Sequence, residues 1–95
     1  MNAQSFPIAK LRLGRIVTTP HVLNVISNED ILTAIGRHQA GDWGFVSDED
    51  RRANDLALEN CTRILSAYCA RNGVKFWLLT EADRSITTVL LPEDY

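Results

Sequence analysis

The residues that could carry out chemistry in this chain are few and scattered. Its only histidines are His21 and His38, and its only cysteines are Cys61 and Cys69. Acid–base catalysis needs a positioned partner beside the histidine, and a metal site needs several ligands at suitable spacing. The cysteines fit no zinc spacing, so we interpret them as reduced thiols, one of them on a buried strand face, with a disulfide as the alternative. We predict no catalytic residue, no metal site and no cofactor.

The densest polar cluster is the segment Glu81-Ala82-Asp83-Arg84, with hydroxyl residues on both sides. On a hairpin turn, two carboxylates and a guanidinium could form a recognition tip. The structural alternative is ordinary turn chemistry, with Asp83 capping local N–H groups and Arg84 paired with an acid. A catalytic carboxylate pair is a third interpretation, but the sequence supplies no nucleophile or base beside it.

Three aromatic residues are the other candidates for a binding site. Trp43 lies between Gly41 and Gly44, and it is either an exposed interface anchor or a core plug. Tyr68 and Trp77 are expected opposite each other on neighbouring strands. They could stack single-stranded nucleic acid, form a buried cross-strand pair, or lie in a dimer interface.

The strands that carry these residues form a predicted meander around two turns. Asn72-Gly73 separates two β-rich runs, which is a strong hairpin signal because a type I′ turn needs positive φ at both central residues. A two-residue turn there pairs Cys69 with Phe76 and Ala67 with Leu78. If the next turn has four residues, Thr87, Val89 and Leu91 share a face with Phe76 and Leu78. Both faces of this sheet are then largely apolar, and helices can cover only one of them. The N-terminal segment, another subunit or a partner must cover the other.

The rest of the chain predicts one further strand and the helices. Alternation from Lys10 to Thr18 indicates a half-buried strand, which would join the sheet at an edge. Capping signals at Thr19, Ser27 and Ser47 predict three helices, at positions 21–26, from about 28 to 39, and from about 48 to 60. The last helix is expected to bury a thin stripe of Ala53, Leu56, Ala57 and Asn60. The fold class is therefore α+β, with a three-stranded antiparallel meander and a probable N-terminal strand packed on two or three helices.

Composition limits the range of functions. The 95 residues are enough for one domain, residues 1–95, in which residues 1–9 are expected to form a flexible tail. The formal net charge of −2 and the pI of about 5.6 argue against a general nucleic-acid-binding surface. No secretory signal and no apolar run long enough for a membrane span is visible, so we expect a cytoplasmic protein without a membrane partner.

Several segments resemble a known family. The segments RHQAGDWG (37–44), LSAY (65–68) and FWLLTEADRSITTVLLPEDY (76–95) are similar to those of short, uncharacterised bacterial proteins that are carried on plasmids and mobile elements. Such proteins are often labelled plasmid-related proteins, and some are labelled type I restriction subunits, although 95 residues cannot hold a methyltransferase. The resemblance implies a mobile genetic element as the setting. It assigns no role to any residue.

We therefore predict a non-enzymatic protein-interaction module of a mobile genetic element, for example an inhibitor of a restriction or CRISPR-type defence. The partner would be another protein, or a second copy docked through the apolar sheet face in a homodimer. The predicted binding residues are Glu81, Asp83, Arg84, Trp43, Tyr68 and Trp77. A nucleic-acid-binding or toxin-like ribonuclease protein is the alternative. It would use the aromatic residues with Arg63, Arg71, Lys75 and Arg84.

Overall fold

The computed structural model describes residues 9–95, so almost all of the tail predicted for residues 1–9 lies outside the described part. The elements follow the order β1 (Arg15–Thr18), α1 (Pro20–Val25), α2 (Asn28–Gln39), α3 (Asp48–Asn60), β2 (Ile64–Cys69), β3 (Lys75–Thr80) and β4 (Ile86–Leu90). A short 3₁₀ turn, Pro92–Asp94, follows the last strand. The predicted α+β class is confirmed.

The four strands form one sheet in the order β1-β4-β3-β2. The strands β2, β3 and β4 form the predicted antiparallel meander, and β1 joins parallel to β4 at the edge, as expected. The first strand is shorter than predicted because it begins only at Arg15. Before it, the amides of Lys10 and Leu11 donate to the carbonyl of Gln39 at the end of α2, so this segment packs on the helix instead.

The register of the first hairpin differs from the prediction by one residue. Gly73 N–H donates to Ala70 O and Ala70 N–H donates to Val74 O, both at 2.9 Å, so the loop has three residues and not two. Gly73 takes a left-handed conformation with φ of +88°, as in a type I turn closed by a bulge. Tyr68 therefore pairs with Phe76. The predicted pairing of Cys69 with Phe76 is wrong, and so is the predicted distribution of β2 side chains between the faces.

The second hairpin has a four-residue loop, the length that was considered, but the loop comprises residues 82–85 instead of 81–84. Glu81 N–H donates to Ile86 O at 3.0 Å, and Thr80 pairs with Thr87. As a result, the side chains of Thr87 and Val89 lie on the same face as Phe76. We call this buried side, which α1 and α2 cover, the inner face, and the opposite side the outer face.

Local capping sets the helix starts as the sequence predicts. The hydroxyls of Ser27 and Ser47 accept from the amides three residues later, and α2 and α3 begin directly after them. Of the four residues predicted to form the buried stripe of α3, only Ala57 is buried. Ala53, Leu56 and Asn60 are exposed, and Asn54 is buried instead. Asn54 Nδ2 donates to Leu65 O at 2.9 Å, because α3 lies beside the backbone of β2 and turns its polar residue inward.

The core consists of two apolar clusters. The larger lies between the helices α1 and α2 and the inner face, and its members are Val22, Ile26, Ile31, Ala34, Tyr68, Ala70, Phe76, Leu78, Val89 and Leu91. The smaller contains Leu11, Leu13, Trp43, Ala57 and Ile64. Both cysteines are free and exposed, so the expectation that one of them lies on a buried face is wrong.

Candidate binding surface

Trp43 is a core residue and is not available to a partner. Only 2% of it is exposed. Its indole Nε1–H donates to Asp55 Oδ1 at 2.9 Å, and its ring meets the His38 ring edge-on at 5.7 Å. The chain reaches this position through Gly44, where φ is +73° and a Cβ would lie 2.0 Å from the carbonyl oxygen of Ala67. Of the two interpretations of Trp43, the structure shows the core plug.

Tyr68 also lies inside the protein. Its ring packs against Phe76 on the inner face at 6.0 Å, and its hydroxyl donates to Asp42 O at 2.6 Å. The guanidinium of Arg37 lies 4.8 Å from the ring centre. Burial raises the pKa of Tyr68 to about 12. Tyr68 therefore does not face Trp77. The predicted pair is wrong, and with it all three interpretations that required the pair: the stacking platform, the buried cross-strand pair and the shared dimer face.

The Glu81–Arg84 turn contacts its own chain. Asp83 Oδ1 accepts from Ser85 N–H at 3.0 Å and from its hydroxyl at 2.6 Å, which lowers the pKa of Asp83 and matches the predicted capping role. The expected pairing of Arg84 with an acidic side chain is wrong. Its guanidinium donates to carbonyl oxygens of Ala57 at 2.8 Å, Thr62 at 2.7 Å and Glu81 at 3.1 Å. Arg84 thus adds a second donor at the C-terminal end of α3, where Ala57 O also accepts from Cys61 N–H.

A buried polar network that the sequence analysis did not predict connects α2 to the sheet. His38, near the end of α2, faces inward, and its side chain is fully buried. Its Nδ1 lies 2.5 Å from Ser66 Oγ, and its Nε2 lies 2.8 Å from Thr80 Oγ1. Thr80 Oγ1 lies 2.7 Å from Thr87 Oγ1, which donates to Leu13 O at 2.8 Å.

The proton positions in this network follow from its last acceptor. A carbonyl oxygen can only accept, so the Thr87 hydroxyl donates to Leu13, and Thr80 must donate to Thr87. The Thr80 oxygen therefore accepts from His38 Nε2–H, and the other ring nitrogen accepts from Ser66. His38 is neutral in this arrangement. Burial, helped by the positive charge of Arg84, lowers its pKa from 6.5 to about 4.

The network resembles the parts of a nucleophile–base pair but has no access to substrate. Ser66, Thr80 and Thr87 are all fully buried. A hydroxyl activated by histidine needs a path to the reacting atom. We therefore assign the network a structural role in joining α2 to the sheet. Among residues 9–95, no group of three or more histidine, cysteine or acidic side chains is placed to hold a metal ion.

The accessible feature is a groove on the outer face. One hollow, of about 330 Å³, lies between α3 and the sheet, and Asn54, Leu65, Leu79 and Tyr95 are among its walls. A second, of about 460 Å³, lies between Phe45 and Pro92, with Ala67 in its wall. Trp77 lines both hollows, so they adjoin each other, and we call the two together the groove. Of the six predicted binding residues, Trp77 and Tyr68 line it, and Tyr68 does so with only 2% of its surface exposed.

Two residues that the sequence analysis did not select complete this groove. Phe45 is 74% exposed and Tyr95 is 70% exposed. The Tyr95 ring meets the Trp77 ring edge-on at 5.8 Å, and the guanidinium of Arg63 lies 6.0 Å from the Tyr95 ring centre. The position of Phe45 between Gly44 and a helix cap was a visible signal of an exposed aromatic. Nothing in the sequence indicated that Tyr95 would reach the sheet.

Charged residues mark the two ends of the groove differently. Asp50, in the first turn of α3, borders the first hollow, and Lys75 borders the second. Arg63 also lines the first hollow and lies 3.5 Å from Glu81. An occupant would meet side chains of both charges at the first hollow and a basic side chain at the second.

None of the helices within residues 9–95 has the length and apolar character that a membrane span requires. Comparison of the chain with protein-family models, with curated proteins and with solved structures finds no match.

Proposed function

We propose that this protein is a non-enzymatic protein-interaction module, and that the groove on its outer face binds an apolar segment of a partner protein. The observation that carries the proposal is the set of three aromatic side chains, Phe45, Trp77 and Tyr95, around two adjoining hollows. Aromatic residues clustered about a pocket are characteristic of the centres of protein interfaces.

The exposure of Phe45 supports a binding role over a structural one. A side chain that is 74% exposed contributes little to the folded state. Burial of a phenylalanine side chain is worth about 1.5–3 kcal/mol, and this gain becomes available only when another surface covers it. The groove beside it is mostly apolar, so a longer apolar segment of a partner would gain free energy of burial there in the same way.

The charges at the ends of the groove define the partner further. A complementary segment would place two apolar side chains in the hollows and an acidic residue near Lys75. The resemblance to proteins of plasmids and mobile elements suggests that the partner is a host protein. Inhibition of a restriction or CRISPR-type defence enzyme is one concrete form of this proposal.

Site-specific crosslinking tests the proposal directly. A photoreactive phenylalanine analogue replaces Phe45 in one sample and Leu32 in the other, and both are irradiated in a bacterial lysate treated with nuclease. Leu32 is 68% exposed but lies on α2, which packs against the inner face, so it reports non-specific contact on the other side of the molecule. We expect a protein to crosslink at position 45 and not at position 32.

Two variants complete the design. The two serine variants carry no photoreactive residue and are tested by affinity capture of the partner that crosslinking identifies. Phe45→Ser is expected to abolish this capture, while Leu32→Ser retains it. Both should leave the melting temperature nearly unchanged. If the same proteins crosslink at both positions, or if none does, the proposal is wrong. Crosslinks only to a second copy of this chain would support the homodimer. Recovery of nucleic acid alone, without nuclease treatment, would support the nucleic-acid alternative.

A further inference from the structure

The edge of β1 is a second accessible feature, and the groove does not include it. Arg15 N–H donates to Ser85 O at 2.9 Å, and Thr19 N–H donates to Val89 O at 3.0 Å. In a parallel ladder, alternate residues bond to the same neighbour. The backbone groups of Arg15, Val17 and Thr19 therefore point to β4, and those of Ile16 and Thr18 point away from the sheet.

The opposite edge of the sheet is covered. The segment 43–45 runs beside β2, with Ala67 N–H donating to Trp43 O at 3.1 Å and Phe45 N–H donating to Ala67 O at 2.7 Å. On the same edge, the side-chain amide of Asn54 donates a hydrogen bond to the carbonyl oxygen of Leu65. Within residues 9–95, no segment runs beside β1 in this way. Outward N–H and C=O groups of an edge strand are a template for one more strand.

Basic side chains mark the start of this edge. Arg12 and Arg15 are exposed, and neither of them forms an ion pair with a described residue. Lys10 is also exposed but lies at the end of α2, beside Gly41. Asp83, in the adjacent turn, accepts from Ser85 and keeps its negative charge. With two guanidinium groups and one carboxylate, the surface where β1 begins keeps a net positive charge.

We propose that the edge of β1 binds an extended, acidic segment of a partner protein by antiparallel strand addition. In this arrangement the segment bonds to the backbone of Ile16 and Thr18, as in other cases of strand addition. Its residue opposite Val17 is apolar, and the residue opposite Arg15 is glutamate or aspartate, because directly opposed side chains form the cross-strand pairs. The acidic end of the segment is its C-terminal end.

A second copy of β1 fits the edge less well. Two β1 strands that pair antiparallel about Val17 place Arg15 opposite Thr19, so no acid meets the arginine. The basic residues before each strand would remain uncompensated. The chemistry of the edge therefore favours an acidic segment over self-association.

Synthetic peptides test this proposal. The probe is a capped, fluorescent eight-residue peptide of alternating threonine and valine that ends in two glutamates, and the control ends in two lysines. By anisotropy at low salt, we expect the glutamate peptide to bind the full chain about three- to tenfold more tightly. Arg15→Glu should reverse that preference. N-methylation of the peptide at the two residues opposite Ile16 and Thr18 should abolish binding, whereas N-methylation at the neighbouring residues should not.

Protein variants locate the binding. Ile16→Pro removes an outward N–H and keeps the ladder with β4, so it should abolish binding, while Phe45→Ser should leave it unchanged. If Ile16→Pro does not fold, the proposal is still tested by Arg15→Glu, which should make the chain bind the lysine peptide more tightly than the glutamate peptide. Three results would each overturn the proposal. The first is equal affinity of the two peptides, and the second is loss of peptide binding in Phe45→Ser. The third is a concentration-dependent dimer that Arg15→Glu strengthens. The groove experiment is independent of these outcomes.

Discussion

The buried histidine makes the stability of this protein sensitive to mild acid. The pKa of His38 is lowered from 6.5 to about 4 by burial. The unfolded chain therefore binds a proton at a higher pH than the folded protein does. Stability from the neutral ring is fully present above pH 6.5 and is lost as the pH falls from 6.5 towards 4.

The size of this loss follows from the two pKa values. At 1.36 kcal/mol per pH unit, the difference between 6.5 and about 4 corresponds to at most about 3.4 kcal/mol. Of this, about 1.4 kcal/mol should be lost by pH 5.5 and about 2.6 kcal/mol by pH 4.5. The lowered pKa values of Asp30 and Asp42 act in a different range, because their contribution is lost only below pH 3.8.

Urea denaturation followed by tryptophan fluorescence at pH 7.5, 6.5, 5.5 and 4.5 measures this effect. The His38→Gln variant is less stable throughout, but its free energy of unfolding should lack the loss between pH 6.5 and 4.5. The matched control is His21→Gln, which changes the exposed histidine beside Asp94 and should keep the loss seen in the wild type.

Nuclear magnetic resonance gives a readout that does not depend on folding of the variants. The network predicts a neutral His38 ring protonated on Nε2, which nitrogen shifts report directly. The reasoning fails if His38 titrates above pH 6, if the proton is on Nδ1, or if the wild type and His38→Gln lose stability in parallel.

Two further predictions concern backbone and side-chain contacts, each measured as a free energy of unfolding. Gly44→Ala should destabilise by more than about 2 kcal/mol, because the new Cβ would meet Ala67 O at a left-handed φ, whereas Gly73→Ala, with open space around it, should cost about 1 kcal/mol. Equal costs would contradict the steric argument. Arg84→Ala should cost about 1–3 kcal/mol, because it removes three hydrogen bonds to carbonyl groups, of which Ala57 O and Glu81 O keep a backbone donor and Thr62 O loses its side-chain donor. The exposed Arg51→Ala should be nearly neutral. A neutral Arg84→Ala would mean that water replaces the guanidinium without loss.

The sequence was sufficient for the features that depend on near neighbours in the chain. Helix caps at Ser27 and Ser47 act over three residues, so their signals can be recognised without the fold. The hairpin at Asn72-Gly73 and the antiparallel meander could be recognised in the same way. The length of that hairpin loop was not determined, because Asn-Gly fits both a two-residue turn and the three-residue turn that forms. Because the loop is one residue longer than predicted, the register changes and the Tyr68 side chain lies in the core.

The candidate surfaces depended on contacts between distant parts of the chain. Arg84 meets the end of α3, and His38 meets Ser66 and Thr80, through packing that no local pattern encodes. The groove exists because Phe45 and Tyr95 come from either side to the same strand face. By itself, the sequence determined the elements, the fold class and an apolar second sheet face. The tertiary structure alone decided which aromatic residues remain exposed there and which edge of the sheet stays open, because both depend on register and on where the loops cross the sheet.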